Sequence, residues 1–448
     1  MADNPFMTAP WTCPFCPLLC DHAGVAPVGT RLSLLGSDCA RAQMALARFA
    51  AAPSAAQPQI GGRAVGLQKA LVAAAEHLAA SRQPLFGGLG TDVAGARALY
   101  RLACETGAIC DAASGPALMH GLRSLQDRGA FSTTLAEVRA RADLIVCVTG
   151  LPTARYPEWL RRCGVGEPTP QGEPLPRHLV VLGVAPGDAQ GGLPNALPNA
   201  LSSGPADQRA DGLAGITSEA LPRHGDLFTT VSVLAALVAG RAMRGAPPAL
   251  AALAARLLAA RYAVIVWDGA ALPAHGALVV EVLNAIVGTL NRSTRAATLP
   301  LGGGDGAATV NQVFSWLGGL PLRSRLGPLG LEHEPLQFDA ARLLADRAVD
   351  ALLWVASFGT EPAAPTARLP RIVLGHPDAA PASPDADTVF IPVSTPGIGS
   401  AGHLFRTDGV VLMPLNAVVQ DTLPTVADVV GRLTLAVQSL RQQQRVTA

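Results

Sequence analysis

Lysine is all but missing from this chain: Lys69 is the only one, and every other basic residue is arginine. Charge is sparse altogether, with 15% Asp, Glu, Lys and Arg, and the two signs nearly cancel to a formal +1 over 448 residues. So small a net charge leaves no electrostatic footprint for nucleic acid. The arginine skew, with abundant alanine, glycine and proline, points to a GC-rich genome more than to a function. Long apolar runs are lacking as well: Val231–Gly240 stops at Arg241, and Ala249–Trp267 is cut by Arg256 and Arg261. A membrane helix needs about 20 uninterrupted apolar residues, so none is expected. Met1–Cys13 carries no basic n-region, no apolar h-region and no twin arginine. No export signal is read there, and the cytoplasm is expected.

Catalytic motifs are missing too. The nine histidines are scattered, with no H-x-H or H-E-x-x-H, and no G-x-S-x-G elbow occurs. Helical zinc-protease and α/β-hydrolase chemistry therefore have no foothold. Leu301-Gly-Gly-Gly-Asp305-Gly306 is glycine-rich but lacks the Lys-Ser/Thr of a phosphate loop. It reads as a turn between a strand and a helix, with a vestigial cofactor cleft as the alternative.

What is present is apolar substance. Hydrophobic residues make up 49% of the chain, which excludes disorder. At about 100–200 residues per domain the length accommodates several cores. Residues 1–58 form a distinct piece with four of the eight cysteines. From about residue 64 the pattern alternates between helix and strand. Val65–Arg82 has helical spacing, Pro84–Gly90 reads as a strand, Asp92 caps a helix to Glu105, and Ala117–Arg128 reads as another helix. Short apolar runs at Leu144–Val148, Leu179–Val184, Ala263–Trp267, Ala351–Val355, Ile372–Leu374 and Val389–Val393 read as strands of parallel sheets covered on both faces. Between Gly164 and Gly215, proline, glycine, glutamine and asparagine dominate, and a tandem Leu-Pro-Asn-Ala occupies 193–200. Long loops are expected there. Gln438–Ala448 reads as a helix end and tail.

The chemistry-bearing motif is Trp11-Thr-Cys13-Pro-Phe-Cys16-Pro-Leu-Leu-Cys20, followed by Cys39, a C-x2-C-x3-C-x18-C spacing. Three thiolates within eight residues can wrap one small object, and a fourth completes the set a [4Fe–4S] cube needs. Zinc competes, although structural zinc favours two C-x-x-C knuckles and only one occurs here. The third reading is four apolar thiols packed without metal. Cys104, Cys110, Cys147 and Cys163 read as buried thiols.

The cysteine motif ahead of an α/β body resembles the molybdopterin/tungstopterin oxidoreductases. More specifically, it is similar to the B-type subunits of formylmethanofuran dehydrogenase and to their bacterial counterparts in the formyltransferase/hydrolase complex. Trp11–Cys20, Asp111–Gly129, Trp267–Pro321 and Ala386–Pro414 carry the resemblance, the last with Ile391-Pro-Val-Ser-Thr-Pro-Gly and Gly402-His-Leu-Phe-Arg-Thr-Asp408-Gly. It implies an α/β, formate dehydrogenase-like fold. The expected parts are a Cys-rich domain over 1–58, a first doubly wound α/β domain from 59–130 plus 335–448, and a second inserted at 131–334. It also implies Cys13, Cys16, Cys20 and Cys39 as ligands of one [4Fe–4S] cluster.

In that family the Mo or W is held by Cys or selenocysteine in a Cys-His-Gly-Pro loop. Here Met119-His120-Gly121-Leu122 occupies that stretch. A thioether is a neutral, weak donor, whereas an oxidised Mo or W wants an anionic one. Cys110 lies nine residues too early to replace it. His120 reads as a hydrogen-bonded structural histidine, with a residual acid/base group as the alternative. Relatives that bind the pterin add a further domain or partner for it, and no such region is recognised here. The expectation is a degenerate site around Met119, His120 and Gly121, no catalytic residue, and no Mo/W-pterin.

The resemblance then implies a non-catalytic or redox-silenced scaffold within a complex, accompanied by formyltransferase, amidohydrolase-like and C-type third partners. It would meet a methanofuran-like carrier only indirectly, in one-carbon oxidation of formaldehyde to formate. Two other readings stand beside it: the active Mo/W iron–sulfur component of a formylmethanofuran dehydrogenase, and a stand-alone iron–sulfur electron carrier, for which a 45.8 kDa body is excessive.

Overall fold

The computed structural model describes residues 11–52, 54–185, 216–359 and 362–447. The tandem at 193–200 and much of the loop expected around it lie outside the described residues. Along the chain, an antiparallel hairpin β1 (Gly24–Val28) and β2 (Arg31–Leu35) precedes α1 (Ala40–Leu46). Two short strands follow, β3 (Gln59–Ile60) and β4 (Arg63–Ala64), then α2 (Leu67–Ala80), β5 (Pro84–Gly90), α3 (Val93–Thr106), β6 (Ile109–Cys110) and α4 (Gly115–Arg128).

Next come α5 (Leu135–Arg141), β7 (Leu144–Val148), α6 (Trp159–Arg162), β8 (Arg177–Val184) and β9 (Ile216–Pro222). They are followed by α7 (Leu227–Val238), α8 (Pro248–Ala259), β10 (Tyr262–Asp268), α9 (Gly276–Leu290) and β11 (Arg295–Leu301). The chain closes through α10 (Ala307–Gly318), β12 (Ser324–Gly327), β13 (Gly330–His333), α11 (Ala340–Ala345), β14 (Ala351–Ala356), β15 (Arg371–Gly375), β16 (Thr388–Pro392), β17 (Gly402–Phe405), β18 (Leu412–Leu415) and α12 (Val426–Thr447). The helix expected to fray from Gln438 continues to Thr447. No helix among the described residues is long and apolar enough to cross a membrane.

The chain divides into two compact units. Unit one comprises residues 1–36, 42–115 and 303–448; unit two comprises 37–41 and 116–302. The sheet of unit one runs β13-β12-β6-β5-β14-β15-β16-β3-β4, parallel from β6 to β16 and antiparallel at both margins. Every residue of β5, β14, β15 and β16 is buried, because helices cover both faces of such strands. Leu85, Ile109, Leu352, Val373 and Phe390 join one core, and α12 packs across α2 and α3. Unit two is wholly parallel, in the order β11-β10-β7-β8-β9. Its core gathers Val146, Val180, Ile265, Leu283 and Val287 with α7, α8 and α9.

The Cys-rich segment is built on packing. Trp11, Leu18 and Leu19 are at most 1% exposed. The Cys13 N–H donates to Cys20 O at 2.8 Å and closes the loop. Trp11 Nε1 donates to Gly397 O at 2.8 Å, and Thr407 N–H to Pro17 O at 2.8 Å, so the loop is laid on the β17–β18 hairpin.

Candidate functional site

In an open parallel sheet, ligands bind beyond the carboxyl ends of the strands, at the point where strand order reverses. In unit two that point lies between β7, whose successors β8 and β9 run one way, and β10, whose successor β11 runs the other. A crevice of ≈ 160 Å³ opens there, lined by the turn after β7 and the turn after β10.

Its polar floor is Asp268, the last residue of β10 and 7% exposed. One carboxylate oxygen accepts from Ala270 N–H at 3.1 Å, and the other meets Arg155 Nη1 at 3.1 Å. Tyr156 hydrogen-bonds the same carboxylate; burial first, and then that negative charge, push its hydroxyl pKa up. The β7 side is Thr149, a β-branched residue held at φ 76°. Its N–H is tied to Leu182 O at 2.8 Å and its hydroxyl to Val148 O at 2.5 Å. Strained backbone of this kind costs on the order of 1–3 kcal/mol and gathers at binding sites. Trp267 forms the wall, and its buried Nε1 meets no acceptor among the described residues.

The stretch around Met119 sits beside these groups in the same unit. Residues 115–128 are helical where the related enzymes are expected to have a metal-binding loop. Met119 is 3% exposed. A Cβ at Gly121 would come 2.9 Å from Trp267 Cη2, and one at Gly276 would come 2.9 Å from the His120 ring. Two glycines therefore let α4 close onto β10's turn and the start of α9. Buried Ser124 and Asn284 complete the seam through a 2.9 Å hydrogen bond from Asn284 Nδ2. The His120 ring lies against Gly276 at the start of α9. The arrangement can bind a polar group at Asp268, but it brings no nucleophile and base together.

No family model matches the chain. It is 33% identical over 347 residues to the Fhc B-type subunit of the formyltransferase/hydrolase complex of Methylorubrum extorquens, covering 78% of this chain and 87% of that one. The X-ray structure of the FhcABCD complex from the same organism, solved with methylofuran, matches at TM-score 0.68 and 30% identity. It covers 86% of this chain and 99% of the solved one. The chain belongs to the family of Fhc B-type subunits.

The stretch that the resemblance sets at the Mo/W position does not offer the donor such a metal wants. Met119 offers a neutral thioether from inside a helix. Cys110 lies in β6, between β5 and β12, where burial pushes its thiol pKa far up and keeps it protonated. Neither supplies an anionic sulfur at neutral pH.

The cysteine quartet fits iron–sulfur ligation by donor chemistry, four thiols of which Cys13, Cys16 and Cys20 are each 7% exposed. They lie in unit one, whereas half-buried Cys39 lies in the 37–41 segment of unit two. Among the described residues, no group of three or more His, Cys, Asp or Glu side chains is placed to hold a metal ion. Of the remaining cysteines, Cys110, Cys147 and Cys163 are buried as expected, while Cys104 is half-buried. Arg155, Tyr156 and Asp268 escaped the sequence reading. The signal that could have found them is a strand ending in Asp-Gly at 268–269, paired with Thr-Gly-Leu-Pro at 149–152.

Proposed function

We propose that this chain is the B-type component of a formyltransferase/hydrolase complex and serves it as a framework without redox chemistry of its own. The formyltransferase, amidohydrolase-like and C-type chains would be its partners, and a methanofuran-like carrier would be served by the assembly. Membership of the family of Fhc B-type subunits supports the place in the complex. Met119 carries the loss of redox function: no anionic sulfur stands where Mo or W would be bound.

The parallel portions of both sheets, each reversing strand order once, support a formate dehydrogenase-like body of two doubly wound halves. The four cysteines are proposed to hold one [4Fe–4S] cluster, on the chemistry of the donor set. Ligation would staple the N-terminal segment, since metal binding in a small Cys-rich segment adds directly to folding stability.

The test is to measure the metals and the co-purifying proteins of the tagged chain, isolated anaerobically from its own host. Formyltransferase and hydrolase chains should co-purify, with Mo and W far below one per chain. Iron and sulfide near four per chain would support the cluster, and their absence would remove it. Molybdenum or tungsten at one per chain, or a chain isolated without partners, would overturn the framework reading.

A further inference from the structure

Unit one holds a second cleft, also ≈ 160 Å³, beyond the carboxyl ends of β15 and β16. Its walls are mostly apolar, with Phe49, Ile398 and Val419 among them. Its polar groups fall into two sets of opposite character.

The first set donates. His376 is 5% exposed and held edge-on to Phe49, with ring centroids 4.7 Å apart. Its Nδ1 accepts from Asp378 N–H at 3.1 Å, so the ring proton belongs on Nε2. Burial lowers the histidine's pKa and favours the neutral ring. Arg48 also lines the cleft, and no ion pair or side-chain hydrogen bond engages it among the described residues.

The second set accepts: it is the carboxylate of Asp421, packed against Gly399. A Cβ placed there would lie 2.6 Å from both Asp421 Oδ2 and Ser394 Oγ.

Charge then selects the ligand. An isolated anion would face the carboxylates of Asp378 and Asp421, and an isolated cation would face Arg48. A molecule carrying both charges satisfies the two sets together.

We infer that this cleft binds a small aliphatic amino acid as its zwitterion. The carboxylate is taken by Arg48 and His376 Nε2–H, and the ammonium by Asp421 beside Gly399. The side chain rests on Phe49, Ile398 and Val419. The framework reading does not rest on this site, and its failure would leave that reading intact.

Calorimetric titration of the full chain with L-valine tests it, with isovalerate and isobutylamine as ligands that each keep one charge. L-Valine should bind saturably, and each half-ligand at least about tenfold more weakly. Arg48→Gln and Asp421→Asn, checked for unchanged thermal unfolding without ligand, should each weaken valine binding several-fold. No saturable binding of valine up to about 10 mM overturns the inference. So does isovalerate binding as tightly as valine, or valine binding that Arg48→Gln leaves unchanged.

Discussion

Asp111 and Arg323 are 1% and 3% exposed, and Arg323 Nε donates to Asp111 Oδ1 at 3.2 Å. Asp111 Oδ2 accepts from Ala340 N–H at 2.9 Å, and Asp339 shares the guanidinium. Burial outweighs these partners and pushes the Asp111 carboxyl up to about 6 from its usual 3.8. The native state therefore binds the proton more tightly than the unfolded chain, and stability from this group falls as pH rises through that window. Relative to Asp111→Asn, which cannot titrate, the wild type should lose about 2 kcal/mol between pH 4 and pH 6. Urea midpoints of the two proteins across that range check the sign. At Gly276 the issue is space: a methyl group would press on His120 and Leu272. Gly276→Ala should cost about 1–3 kcal/mol, read as a lower Tm. The sequence singled out His120 and the 111–129 stretch. It had no means of naming Arg323, 212 residues away from Asp111.

At the scale of elements, legibility followed burial and punctuation. The seven residues of β5 are all buried and end at a glycine turn, and the strand was readable over its whole length. Asp92 was readable as a cap: its side chain accepts from Gly95 N–H at 3.0 Å at the start of α3. Asp92→Ala should destabilise the protein by about 1 kcal/mol, whereas Asp92→Ser should keep most of it, in paired thermal melts. Among the strands that went unread, the two at the edges of the unit-two sheet did so for a physical reason. β9 is an edge strand of mixed burial that carries Thr217, Ser218 and Glu219. β11, at the opposite edge, contains Arg295, two alanines and Pro300. An edge tolerates proline and polar residues, and that tolerance erases the apolar signature.

At the scale of the molecule, the two sheets should set the order in which backbone amides exchange with solvent. Central strands β5, β14, β7 and β10 are buried throughout, so they should exchange slowest in the isolated chain. The β12–β13 hairpin forms a margin, with Leu329 at its tip 95% exposed and Leu331 51% exposed. Its amides should exchange fastest among the strands. Hydrogen-exchange mass spectrometry showing that hairpin as protected as β14 would contradict the sheet order.

Local chemistry settled much of this protein in advance. Alternating apolar runs and caps are short-range effects, so the α/β class and the central strands could be read from neighbouring residues. The neutral sulfur of Met119 was equally plain, because a side chain's charge does not depend on the fold. The tertiary structure alone decided which distant groups meet. The crossing of strand order between β7 and β10 gathered Thr149, Arg155 and Asp268 into a crevice. The ends of β15 and β16 set His376 beside Arg48 and Asp421. Such meetings depend on chain topology and on glycines that permit close approach, and neither leaves a periodic trace in the sequence.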